Sequence, residues 1–255
     1  MHRIELTGIP GAGKSSFIPK IKQEIVNQGF QVYDDQDLIY ETFISDQFRG
    51  LTTLIPSPNI RQNVARKWFN AFNIKQKNET TGMLIEQEYV QYFLAKNIDR
   101  PIPEKEKLLA ARWMLSTIAY YNMAKELRRG AAIQLVDEGF FHKIFNLYVS
   151  SNAPVPSRAE IDKYFSVTPL PSILIKICAD TPIAVQRIGE QWTSYRYGKG
   201  SIADFEGVIE KMHDLLAIAE EIAVSRGLMV IHVDNSKNTA PIIDLGDLRT
   251  LLKKD

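Results

Sequence analysis

The stretch Gly8-Ile9-Pro10-Gly11-Ala12-Gly13-Lys14-Ser15 decides how this chain folds. It satisfies G-x-x-x-x-G-K-[ST] at every fixed position, the pattern of a loop that wraps phosphates. The flanks suit it. His2-Arg3-Ile4-Glu5-Leu6-Thr7 reads as a short strand running into the glycines, and a helical pattern runs from Ser15 to about Gln28. Glycines at 8, 11 and 13 let successive N–H groups converge on one anion. The helix that follows turns its positive dipole end and free N–H groups to the same place. Lys14 then comes within reach of β- and γ-phosphates, and the Ser15 hydroxyl can ligate Mg²⁺. Pro10, Ala12 and Ser16 complete the expected nucleotide-binding set. Pro19, early in the helix, removes one backbone donor and is expected to kink the second turn. A chance glycine turn ending in Lys-Ser is the bland alternative, and the position directly after a strand argues against it.

Composition sets the bounds around this loop. The 255 residues can bury a sizeable core, and hydrophobic and charged fractions of 45% and 24% are ordinary for a globular chain. A net charge of +1, from 31 basic and 30 acidic residues, gives no whole-chain argument for a nucleic-acid or membrane partner. The lone cysteine, Cys178, excludes an internal disulfide and is expected as a small buried hydrophobe. A strand starting at residue 2 leaves no room for a signal peptide, and no apolar run reaches spanning length, so a cytoplasmic location is expected.

Outward from the loop, Phe30–Tyr33 reads as a second strand ending in Asp34, Asp35 and Asp37. Helical spacing fills segments 36–48, 59–75, 84–97 and 104–129, separated by Pro56, Pro58, Gly82, Pro101 and Pro103. Ala132–Val136 is a buried third strand running into Asp137-Glu138-Gly139, with helices expected at 140–150 and 157–165. Ser172–Ala179 is the fourth strand, followed by a helix opened by Thr181-Pro182. A loop over 192–201, a helix over 204–226, a fifth strand at Met229–Val233 and a closing helix at 244–252 complete the chain. Short apolar strands alternating with helices predict an α/β fold, a parallel sheet with helices on both faces. The helical block at 38–129 is too long for an ordinary connection and is expected to cap the site or bind the acceptor. The chain is therefore expected to be one domain, 1–255, with that insertion and a lid-like loop at 187–203.

Several residues carry candidate chemistry. Asp137 ends an apolar strand where a carboxylate can hold the Mg²⁺ hydration shell, although Asp-Glu-Gly is also a common turn. Glu138 can activate a nucleophile or pair with an arginine. Asp35 lies at the carboxyl edge of the second strand, where open α/β sheets bind ligands, and can accept a proton from an acceptor hydroxyl. Asp37 shares that edge, but helix capping is the usual task of such a residue. Arg187, Arg196 and Lys199 surround the aromatic stretch Trp192–Gly200 and suit closure over γ-phosphate charge, with solvated surface arginines as the alternative. Arg112 in the long helix is a candidate grip on substrate. His142 and His232 have no metal-like partners in sequence and read as structural.

Taken together, the pattern resembles the P-loop kinases of the nucleoside and nucleotide kinase superfamily, thymidylate kinase-like and deoxynucleoside kinase-like enzymes among them. Leu108-Leu109-Ala110-Ala111-Arg112 looks like the helix whose arginine contacts the acceptor in thymidylate kinases. Ala179-Asp180-Thr181-Pro182 with Arg187 looks like the segment leading to their lid, and Val233-Asp234-Asn235-Ser236 like the strand end beside the adenine. Asp35 is placed like the base of polynucleotide kinases. The resemblance implies a five-stranded sheet of order 2-3-1-4-5. It departs from thymidylate kinases in Asp137-Glu138, where an Asp-Arg pair is usual, and in a lid without dense arginines. The expected activity is transfer of the γ-phosphate of ATP, with Mg²⁺, to a hydroxyl or phosphate of a small molecule that is nucleoside-like, nucleotide-like or sugar-like. A polynucleotide 5′-kinase is the nearest rival, and near-zero charge argues against it. A regulatory NTPase whose insertion binds a protein partner is the reading of another class. No membrane partner is expected, and a homodimer is left open.

Overall fold

The computed structural model describes residues 1–46, 60, 63, 64, 67, 87–127, 132–149, 155–188, 202–236, 245, 246 and 248–251. Five strands, β1 (His2–Thr7), β2 (Val32–Tyr33), β3 (Ile133–Asp137), β4 (Ile173–Cys178) and β5 (Met229–Asp234), form one sheet. Its order is β2-β3-β1-β4-β5, every neighbouring pair is parallel, and the expected order is therefore met. Register puts Leu6 opposite Asp137 and Thr7 opposite Lys176. The glycine loop thus leaves the sheet at its centre, level with the end of β3.

Helix α1 (Lys14–Asn27) follows the loop, then α2 (Asp35–Asp46), α3 (Glu88–Ile98) and α4 (Glu104–Leu127). After β3 come α5 (Ile144–Tyr148), α6 (Arg158–Val167), α7 (Thr181–Ile188), α8 (Ile202–Ser225) and α9 (Leu248–Leu251). Most bounds fall within a few residues of those read from periodicity. The helix expected from residue 140 begins only at Ile144, because residues 140–143 form turns. The described helices of the expected insertion start at Asp35, ahead of residue 38. Most of segment 59–75 lies outside the described residues.

Each helix has a local reason. In α1, Phe17, Ile21 and Ile25 recur at helical spacing and are all buried, and the helix continues through Pro19. Pro19 has no N–H to give the Ser15 carbonyl, yet it sits on the exposed face where water can satisfy that oxygen. The start of α2 is a reciprocal cap. Asp34 Oδ1 accepts from the N–H groups of Gln36 and Asp37, and Asp37 Oδ2 accepts from Asp34 N–H. At α6, Ser157 and Glu160 form a complete capping box.

The core runs from α1 through the apolar residues of β1, β3 and β4 to Leu215, Ala219 and Ile222 of α8. One face of β1 breaks the apolar pattern, since Arg3, Glu5 and Thr7 are buried beside Ile4 and Leu6. Cys178 is only half-buried at the end of β4, less enclosed than its apolar setting predicts. No helix among the described residues is long and apolar enough to cross a membrane.

Candidate functional site: a phosphate loop backed by buried carboxylates

Gly8, Gly11 and Gly13 all take positive φ, and each is pressed by a neighbour. At Gly8 a Cβ would stand 2.5 Å from the Ile177 carbonyl of β4, and at Gly13 one would stand 2.5 Å from Asn235 Nδ2. Glycine is thus required twice over, by conformation and by space. Ser16 Oγ donates to Gly13 O at 2.7 Å, closing the last turn of the loop, while Ser15 stands exposed at the start of α1. The buried Lys14 ammonium donates to the carbonyls of Gly8 (3.0 Å) and Ile9 (3.4 Å) and lies 3.6 Å from Glu138 Oε1.

Glu138 is the one described non-glycine residue with positive φ, at 59°. That conformation costs about 1–2 kcal/mol for a residue with a Cβ. It aims the carboxylate between two partners, Lys14 and the Nε2 of His142 at 3.4 Å. His142 Nδ1 meets Thr7 Oγ1 at 3.3 Å. A polar chain therefore runs from β1 through His142 and Glu138 to Lys14. His142, read from sequence as structural, thus stands in contact with Glu138 and Thr7 beside the glycine loop.

The turn carrying these groups is clamped from several sides. Glu5, fully buried in β1, accepts the N–H groups of Phe140 (3.2 Å) and Phe141 (2.9 Å). Its carboxylate occupies the space a Cβ at Gly139 would need. Tyr164 donates to Phe140 O at 2.6 Å, and Tyr89 of α3 and Tyr121 of α4 meet the Phe140 ring edge-on at 5.5 and 5.6 Å. The helices before β3 are thereby keyed to the turn that follows it. Arg3 pairs with Glu5 at 3.0 Å, donates to Pro169 O at 2.6 Å and lies over the Tyr121 and Phe140 rings. Burial still pushes the Glu5 carboxyl above its ordinary pKa, against the pull of Arg3 and the two N–H groups.

Asp35 opens α2 beside this group. Its Oδ1 is buried and accepts no hydrogen bond among the described residues. Its carboxyl is pushed up to about 7, by burial first and then by the negative charge of Asp34, with Asp137 and Glu5 adding to the effect and Lys143 opposing it. Asp37 stands apart from it. It takes the capping bond of α2 and, with Asp34, holds the Lys22 ammonium at 2.6 and 2.8 Å.

The remaining expected residues are less concentrated. Asp137 ends β3 level with Leu6, one residue before Glu138. Asn235, at the end of β5, turns its side-chain amide onto Ala12 O at 2.7 Å. Arg187 is exposed on α7 and donates to Asn235 O at 2.8 Å. Arg112 is exposed on α4, opposite the stripe of Ala110, Met114 and Ile118. Arg196 and Lys199, with most of the 187–203 stretch, lie outside the described residues.

The sequence reading did not single out Arg3, Glu5 or Lys143, and it took His142 as structural. One signal was present: Arg3-x-Glu5-x-Thr7 alternates polar side chains along a strand whose loop requires it to be central. Such groups need partners when buried, and those partners belong to the site.

Fit to Mg²⁺ follows from the donors. No group of three or more His, Cys, Asp or Glu suited to a metal occurs among the described residues. The set is Ser15 and Asp137, with the uncommitted oxygen of Asp35 nearby. One or two protein oxygens suit Mg²⁺, which keeps waters and takes the rest of its shell from phosphates.

Fold and loop together define a P-loop architecture, a 2-3-1-4-5 parallel sheet with the glycine loop leaving its central strand. No protein-family model and no curated protein matches the chain. Among solved structures it is similar to deoxyadenosine kinase from M. mycoides with bound dATP, at 14% identity and a TM-score of 0.39 over 91% of this chain and 90% of that one. A structure of the same kinase with dCMP and a flexible dCDP gives 13% identity and a TM-score of 0.38, over 98% and 95%. Thymidylate kinase from Candida albicans gives 11% and 0.45, over 92% and 85%.

Proposed function

We propose that the chain is an ATP- and Mg²⁺-dependent phosphotransferase acting on a small molecule of nucleoside, nucleotide or sugar type. The observation that carries this reading is the Lys14–Glu138 pair on the glycine loop, with the buried Asp35 in electrostatic reach of Asp137, the residue before Glu138. A phosphate loop alone supports nucleotide binding. A buried carboxyl poised near neutrality within electrostatic reach of Asp137 supports proton removal from an acceptor.

In this reading the loop N–H groups and the dipole of α1 hold the β- and γ-phosphates. Lys14 exchanges its loop carbonyls for phosphate oxygens, and Glu138 keeps its ammonium on the loop side. Ser15 and Asp137 would hold Mg²⁺, which would supply charge neutralisation on the phosphates. Asp35 takes the acceptor proton as the new O–P bond forms and the bond to the ADP oxygen breaks. Arg187 and Arg196 neutralise charge on the transferred phosphoryl group, and Arg112 contacts the acceptor.

The test is ADP formation against nucleosides, nucleotides, sugars and 5′-hydroxyl oligonucleotides, with Lys14→Ala as control. Acceptor-dependent ADP that vanishes in the variant is the expected result, and the productive acceptor names the substrate class. Slow hydrolysis indifferent to every acceptor would replace this reading with that of a regulatory NTPase.

A further inference from the structure

We propose that Asn235 is a positioning residue for the phosphate loop and that its side chain does not read the nucleotide base. The inference rests on the nucleotide-binding reading above and assigns a role within that site.

Asn235 is fixed at three points. Its backbone N–H donates to Cys178 O at 2.8 Å, extending the β4–β5 ladder by one residue. Its carbonyl accepts from Arg187 at 2.8 Å, which ties it to α7. With the main chain held at both ends, the side-chain amide spans to the loop and donates to Ala12 O at 2.7 Å. The loop cannot recede from this contact. Ala12 is fully buried, its own N–H donates to Ile9 O at 3.1 Å, and Gly13 leaves no more than the width of the amide between them.

The bond fixes more than one oxygen. The Ala12 carbonyl and the Gly13 N–H belong to a single planar trans peptide, so they point in opposite directions. Gripping the oxygen from the β5 side aims the Gly13 N–H away from β5. In a loop that binds anions through successive N–H groups, the direction of each peptide plane sets affinity. Asn235 therefore acts on the phosphates through the loop, and any polyphosphate feels it whether or not a base is attached. Gly13 serves the same contact by leaving room for the amide.

The experiment compares Asn235→Ala and Asn235→Leu with the full-length parent. Dissociation constants are measured by calorimetry for ATP, GTP and inorganic tripolyphosphate with Mg²⁺, and folding is checked by thermal melting. The leucine variant keeps side-chain volume without charge or donor, which guards against a collapse specific to alanine. Expected is a loss of about tenfold, the scale of one hydrogen bond, that is equal for ATP and tripolyphosphate and leaves the ATP-to-GTP ratio unchanged. A loss confined to ATP, with tripolyphosphate unaffected, would overturn the proposal by making the amide a base contact. Unchanged affinity for all three would overturn it as well. If the parent bound neither ATP nor tripolyphosphate, the nucleotide-binding reading would fall first and this one with it.

Discussion

Glu138 holds a left-handed backbone that glycine would adopt without strain, and it does so between Lys14 and His142. Strain kept at such a place goes with what the side chain does there. Glu138→Gly is therefore expected to keep or raise the melting temperature, through about 1 kcal/mol of relieved strain set against the lost contacts, while turnover falls steeply. Melting and steady-state rates on one preparation check this, and a variant of normal rate would remove Glu138 from the machinery. Asp35 carries a separate signature. In the proposed transfer, with the Asp35 carboxyl near 7, activity should rise through pH 7 as that carboxyl loses its proton, and Asp35→Asn should abolish that limb and lower kcat by about 10²- to 10⁴-fold. The sign for stability is opposite. A carboxyl raised from 3.8 to about 7 lets the folded state hold its proton longer than the unfolded chain does. Its contribution is fully present below pH 4 and is lost as pH climbs through 7. Asp35→Asn should thus melt above the parent at pH 8 and match it at pH 4.

Among the elements, β1 carries the largest hidden burden. Glu5 accepts two backbone N–H groups of the turn after β3 and forms an ion pair with Arg3, all inside the core. Removing one partner of a buried pair leaves the other charge stranded, so Glu5→Leu should cost about 3–5 kcal/mol in denaturant unfolding, far more than a surface change. A cost below 1 kcal/mol would mean the turn finds other partners. The elements also explain what could be read from the chain in advance. The loop, the strand that feeds it and Asp137 were visible because their signals are local: fixed spacing, an apolar run, a carboxylate at a strand end. The Glu5 contacts span 135 and 136 residues, and so does the Thr7–His142 contact at 135. No periodicity encodes such a pairing, and only the polar alternation of β1 hinted that partners had to exist. Asp37 shows the reverse case. Its place among the acidic residues suggested a ligand contact or a helix cap, and the reciprocal cap of α2 and Lys22 occupy it.

For the molecule as a whole, binding and folding are linked. A nucleotide at about 100 times its dissociation constant adds about 2.7 kcal/mol, worth roughly 5–10 °C in melting temperature for a chain of this size. ATP with Mg²⁺ should give that rise in the parent and none in Lys14→Ala, and a melting curve indifferent to ATP would count against nucleotide binding at the loop. The strand order carries one more consequence. β1 and β2 are never neighbours, and β3, which separates them, begins only at Ile133. Until that strand has been synthesised the first two have no partner among the described strands, because β4 and β5 come later still. Residues 1–131 thus leave the ribosome with the glycine loop complete in sequence and the described five-stranded sheet still unformed. A chain stopped at residue 131 should have no cooperative melt, and its exposed strand edges make it a natural client for chaperones during translation.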